Sequence, residues 1–197
     1  MHRSWVFDLL SFVWIIPAFT QRHGRFKYYF YLLAFAAAGG EFVVRLYYNF
    51  HINIGWVIND IYIFVLLFTP FTLLELNKIP KWKYWLLLSI VLGIAFGNIP
   101  HSNHDEVIFM FVIQFLVTGL VIRVLYLNAI NAMEIDIWMA LLLSYQFSIL
   151  LQFFYGVAGT SIGYYNFDLF TKFEILLGIF FCFVRERSKY LIFRIKE

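Results

Sequence analysis

Charged side chains are what this chain lacks. Asp, Glu, Lys and Arg make up 14% of its 197 residues, against about 25% in a soluble domain. It has a single cysteine, Cys182, which excludes an intramolecular disulfide framework. No HExxH, GxSxG or CxxC motif is present, so the familiar zinc-hydrolase, serine-hydrolase and dithiol chemistries are not expected. There is also no Gly-rich phosphate loop, no low-complexity tract and no internal repeat of the kind that marks inverted-topology transporters. These absences point away from an enzyme, and they give no reason to expect a cofactor, a structural metal or a nucleic-acid partner.

What is there is apolar. Hydrophobic residues account for 62% of the chain, with 25 Phe, 13 Tyr and 6 Trp, and the mean hydropathy is +0.77. A soluble domain of this size has too little interior to hide that much apolar surface. The expected class is an all-α polytopic membrane protein whose first partner is the lipid bilayer. The formal charge of +3 matters less in such a protein than where the charges fall.

Apolar runs and turn signals divide the chain into seven segments, at about 5–20, 28–50, 58–76, 84–99, 107–127, 136–156 and 164–184. Most are long enough to cross a hydrocarbon core of about 30 Å as helices. The run at 5–20 carries Asp8 and no small-residue cleavage site, so it reads as a retained first span, with an interfacial helix as the competing reading because the run is near the lower length limit of about 17 residues. The connectors are short, and the pattern predicts one seven-helix domain over 1–197 with a basic cytoplasmic tail at 185–197. Twelve basic residues fall at one set of helix ends: Arg22, Arg25, Lys27, Lys78, Lys81, Lys83, Arg123 and five in the tail; the opposite set has only Arg3. By the positive-inside rule the N-terminus is outside and the C-terminus inside. Trp5 and Trp56 then mark the outer interface, and Trp82, Trp85 and Trp138 the inner one. The tail SKYLIFRIKE alternates apolar and basic residues, as an interfacial anchor does, or a docking segment for a cytoplasmic partner.

Polarity inside the spans is the place to look for function, since a lone charge near the bilayer centre costs about 2.5–3.5 kcal/mol on insertion scales. Segment seven reads FDLFTKFEILLG, with Asp168, Lys172 and Glu174 within seven positions, and segment two carries Glu41 and Arg45 after the small residues AAAGG. Both Glu41/Arg45 and Asp168/Lys172 are spaced i, i+4, which puts each pair on one helical face. In antiparallel helices Glu41 falls level with Lys172 and Arg45 with Asp168, so an ion cluster between helices two and seven is expected, with Asp8 as a possible fifth member. Glu174 lies about 200° around the helix from Lys172 and must face elsewhere. Gln146 of segment six has a matching depth and is the expected hydrogen-bonding partner, with Gln152 further out. Pro70 is expected to kink helix three, with Thr69 or Thr72 satisfying freed backbone groups. His51, Asn53, Asn59 and Asp60 fall on the outer side and could line a shared mouth. HSNHDE at 101–106 has His and carboxylate spacing compatible with a metal but reads best as a solvated loop.

Two resemblances follow from these residues. DLFTK, at Asp168 to Lys172, is similar to microbial rhodopsin, in which a lysine on helix seven carries retinal one turn inward of an aspartate. LFTPFTLLEL, with Thr69, Pro70 and Glu75, resembles that family's third helix. The sequence departs from the family at Phe64, which stands where the counterion is expected, and Trp138 lies at the inner edge where no aromatic box forms. If the resemblance holds, Lys172 is the retinal-binding residue. Over nearly the whole chain, AGGEFVV, WVINDIYIFVLL, KYWLLLSIVLGIAFGN and LLLSYQFSILLQFF resemble a family of uncharacterised bacterial seven-helix membrane proteins. That resemblance implies a small stand-alone bundle in the bacterial inner membrane, of sensory or signalling type, working with a cytoplasmic or membrane protein partner. A small transporter or proton-conducting protein is the alternative.

Overall fold

The computed structural model describes residues 5–52, 55–73, 80–98, 103–132, 134–158, 162–186 and 192–194. They form seven helices: α1 (Trp5–Thr20), α2 (Lys27–Phe50), α3 (Gly55–Leu73), α4 (Trp82–Asn98), α5 (Asn103–Ala132), α6 (Ile137–Ala158) and α7 (Ile162–Phe183). Two three-residue strands, β1 (Glu134–Asp136) and β2 (Ile192–Arg194), complete the description. Three of the helices contain stretches long and apolar enough to cross a membrane among the described residues: Lys27–Tyr47, Asp105–Leu127 and Ile137–Ala158. Two shorter apolar stretches, Asp60–Leu73 and Trp82–Phe96, accompany them.

The chain divides into two compact units, 1–102 and 103–197. In the first, consecutive helices pack in order, α1 on α2, α2 on α3 and α3 on α4. Leu32 and Ala36 of α2 meet Val65 and Phe68 of α3, with Trp82 and Leu86 of α4 packed alongside. Small residues set the approach, as expected where backbones of apolar helices come close. A Cβ on Gly39 would stand 2.9 Å from Cδ1 of Ile61, and one on Gly93 would stand 3.4 Å from the Asp60 carbonyl oxygen. Aromatic rings run along α3 at helical spacing: Phe35 meets Phe64 edge-on, Phe64 stacks on Phe68, Phe68 meets Phe71, and Phe71 stacks on Trp85.

Pro70 lies inside α3 and removes the amide that would bond the Leu66 carbonyl. The Thr69 hydroxyl donates to the Val65 carbonyl at 2.7 Å, and the Thr72 hydroxyl donates to the Thr69 carbonyl at 2.8 Å. Thr69 therefore bonds the carbonyl next to the freed one and Thr72 a carbonyl three residues beyond it, neither of them that of Leu66. α2 ends where His51 takes the left-handed conformation, φ 56°, with its N–H on the Tyr47 carbonyl.

The second unit packs α5 on α6 and α6 on α7. β1 and β2 form an antiparallel ribbon with Ile135 opposite Phe193 and Glu134 opposite Arg194. Within the tail segment, the described residues 192–194 are a strand, paired to the β1 strand that precedes α6. Trp138, expected in the interfacial belt, is instead fully buried against Phe180 and Phe181 of α7. Its position at the helix end suggests an interface, but its azimuth turns it towards α7.

The surface of this unit reverses the pattern of a soluble protein. Leu116, Leu176 and Phe183 are 65%, 65% and 84% exposed, while Gln114, Thr118, Gln146, Ser148, Thr171 and Glu174 are buried. Apolar side chains outside and hydrogen-bonding side chains inside is the arrangement a lipid surround favours.

Candidate functional site

The polar interior of the second unit is built around α6. Gln146 and Ser148 are two positions apart, about 200° around the helix, whereas Ser148 and Gln152 are spaced i, i+4 on one face. Gln146 therefore points towards α5 while Ser148 and Gln152 point towards α7. On the first side the Gln114 amide Nε2 of α5 donates to both the main-chain carbonyl and the Oε1 of Gln146, at 2.9 and 2.8 Å. On the second side the Ser148 hydroxyl and the Gln152 Nε2 both donate to Oε1 of Glu174, each at 3.0 Å. Glu174 is 5% exposed. Below this layer Thr118 donates its hydroxyl to the Gln114 carbonyl.

Glu174 is thus hydrogen-bonded to α6 as the sequence suggests, but through different residues. Gln152 supplies the amide, Ser148 adds a hydroxyl, and Gln146, the partner expected from depth, is engaged with α5. Depth along two helices fixes which residues are level, not which faces meet. Gln114 and Ser148 are the two members that sequence reasoning missed. A lone amide in VIQFLV carries the same signal as a lone charge, and Ser148 stands one turn before Gln152 on the same face.

Lys172 is on the exposed side of α7, away from Glu174. Glu41 and Arg45 of α2 pair with each other, Nε to Oε1 at 2.8 Å, with the Arg45 side chain 62% exposed and that of Glu41 15% exposed. The expected α2–α7 cluster would join the two units; within the first unit Glu41 and Arg45 bond each other along the helix. The side chains of Asp8 and Asp168 lie outside the described residues, as do those of Asn53 and Asn59. His101 and Ser102 of the HSNHDE stretch are also outside them, and the described residues hold no group of three metal-ligating side chains.

The first unit contributes a cavity of about 570 Å³ between α2, α3 and α4, lined by Tyr31, Phe35, Asp60, Phe64, Trp82 and Ile90 among others. Comparison with protein-family models, with curated proteins and with solved structures gives no match for this chain.

Proposed function

We propose that this chain is a seven-span, non-enzymatic membrane protein of sensory or signalling type, with its N-terminus outside and its C-terminus inside, acting through a partner protein. The observation that carries the reading is the double tie between α6 and α7. In mid-helix the two are joined by the Ser148 and Gln152 hydrogen bonds to Glu174, and at one end by the β1–β2 ribbon. β1 runs directly into α6. A rotation or slide of α6 that disturbs the Glu174 contacts carries β1 with it, and with β1 the paired β2, which gives the polar interior a mechanical output at the basic face.

The ribbon also supports the span parity. Two strands that hydrogen-bond to each other lie on the same side of a bilayer, and only α6 and α7 separate them, so these two helices cross together or not at all. At 22 residues each and 1.5 Å per residue they are about 33 Å long, which matches a core of about 30 Å. The excess of Lys and Arg at the same helix ends supports an inner position for the ribbon.

Cross-linking in the native membrane followed by purification tests the reading: a recurrent partner, lost when residues 191–197 are deleted, is expected. Repeated recovery of the chain alone, with solute flux in liposomes, would overturn it in favour of a transporter. The buried Glu174 carboxyl is what supports that second reading, because intramembrane carboxylates serve as proton carriers. In that case flux would fall in Glu174→Gln.

A further inference from the structure

The cavity of the first unit is a groove with a polar end. Its α4 wall is the stripe Trp82, Leu86, Ile90 and Ile94, spaced i, i+4 throughout and so about 18 Å long at 1.5 Å per residue. Rings of Phe35, Phe64 and Phe68 supply much of the remaining wall, held by their edge and stacking contacts with one another. Asp60 stands at the Ile90–Ile94 end, level with Gly93, whose missing Cβ lets α4 approach the Asp60 carbonyl. Tyr31 and Trp82 stand towards the other end. The groove opens along one side, where Phe35 and Ile94 are half exposed.

Asp60 is the one charged residue among the described residues that line this space. Its Oδ1 is buried and accepts no hydrogen bond among them. Asp60 as a whole is partly exposed, so its carboxylate charge, with no hydrogen bond on Oδ1 to offset it, attracts a cation in the groove through space. A volume of about 570 Å³ lies within the range of small-molecule sites, roughly 300–1,000 Å³, which are typically apolar with a few placed polar groups.

We infer that this groove binds a membrane-dissolved amphiphilic amine, its ammonium group on the Asp60 carboxylate and its apolar tail along the aromatic wall towards Trp82. Charge complementarity selects the head: the described lining offers a carboxylate and no cation, so an anionic amphiphile meets repulsion and a neutral one, even as a hydrogen-bond donor, leaves the carboxylate charge unpaired. Phe64, which also lines the groove, stands one turn from Asp60 on the same helical face, and an aromatic ring near a cation adds attraction. The site lies wholly within the first unit, so it stands whether or not the chain signals through α6 and α7.

The test uses the full chain in neutral maltoside micelles, with dodecyl probes brominated at the tail end and read by quenching of tryptophan fluorescence. The trimethylammonium probe is expected to quench saturably at a mole fraction about tenfold below that of the dodecanol or dodecanoate probe. Trp82→Phe removes most of this quenching, and Asp60→Asn brings the ammonium probe to the level of the alcohol. Equal quenching by all three probes in the unaltered chain overturns the proposal, with no need for a variant to fold. An ammonium advantage that survives Asp60→Asn, or quenching undiminished in Trp82→Phe, overturns it equally.

Discussion

Replacing Glu174 should separate an acceptor role from an apolar packing role. In Glu174→Ala the Ser148 hydroxyl and the Gln152 amide lose their shared acceptor. Leaving a buried donor unsatisfied costs about 1–3 kcal/mol, which would suggest a loss of several kcal/mol for two donors. The structure reduces that figure. A serine on a helix can turn its hydroxyl to the carbonyl one turn back, as Ser144 does to the Ala140 carbonyl at 3.0 Å, so Ser148 can satisfy itself. Gln152 is only half-buried and retains partial access to other acceptors. Interhelical hydrogen bonds in membranes average about 0.6 kcal/mol by double-mutant cycles, with a maximum near 1.7. The expected net cost of Glu174→Ala is therefore about 1–2 kcal/mol, and that of Glu174→Gln, which keeps a carbonyl oxygen in the same place, below about 1 kcal/mol. Reversible unfolding in mixed micelles measures both, and a cycle with Gln152→Leu gives the pair term, expected at about 0.6–1.7 kcal/mol. If Glu174→Ala proves as stable as Glu174→Gln and the cycle returns no coupling, the α6–α7 tie has no energetic content and the proposed output path goes with it.

Gln114→Leu leaves Gln146 Oε1 without its donor, whereas the double change Gln114→Leu with Gln146→Leu removes both sides of the contact; the double variant is expected to be more stable than Gln114→Leu alone, by about 1 kcal/mol in the same unfolding assay. Equal or lower stability of the double variant would contradict the pairing. With Cys182 replaced by Ser, cysteines introduced at Ile135 and Phe193 should oxidise to a disulfide in high yield, because directly opposed residues in an antiparallel pair have Cα atoms about 4.5–5.5 Å apart; a pair at Ile135 and Arg194 should cross-link less on a non-reducing gel. Efficient cross-linking of the second pair would mean a different register. Expression with retinal is expected to give no visible absorption band, since Lys172 is on the exposed side of α7, and a coloured protein bleached by Lys172→Ala would refute that expectation.

The helices were legible because in a chain this apolar the breaks are the signal. The run from 5 to 20 ends at QRHGR, and the helix ends there too, at Thr20. Where polar residues are themselves helical the reading shortens the element. α5 begins at Asn103 and not near 107, because Asp105 and Glu106 in its first turn favour a helix N-terminus, although as sequence they look like loop. At its other end LNAINA reads as a turn on account of its asparagines, yet the helix runs on to Ala132. The pairing of the ribbon could not be seen in advance. The alternation in the tail is compatible with a strand, but Glu134–Asp136 is too short to register as one, and it lies beyond two intervening helices from Ile192–Arg194.

The site shows a different limit. Cost of burial points to individual residues, and so Glu174 stood out, but partners are chosen by azimuth, which depends on how each helix is rotated about its axis. Gln146 and Ser148 illustrate the point: they differ in depth by only about 3 Å, yet one bonds α5 and the other α7. A helix between two neighbours needs polar groups on two faces, and α6 has them, while its exposed positions Phe147 and Phe154 are apolar. In lipid there is little hydrophobic gain in bringing helix against helix, so packing and hydrogen bonds decide which faces meet. The polar residues of α6 therefore carry information about neighbours that its many apolar residues do not, and a sequence reading that ranked uncharged amides alongside charges would have found Gln114 from the same principle that found Glu174.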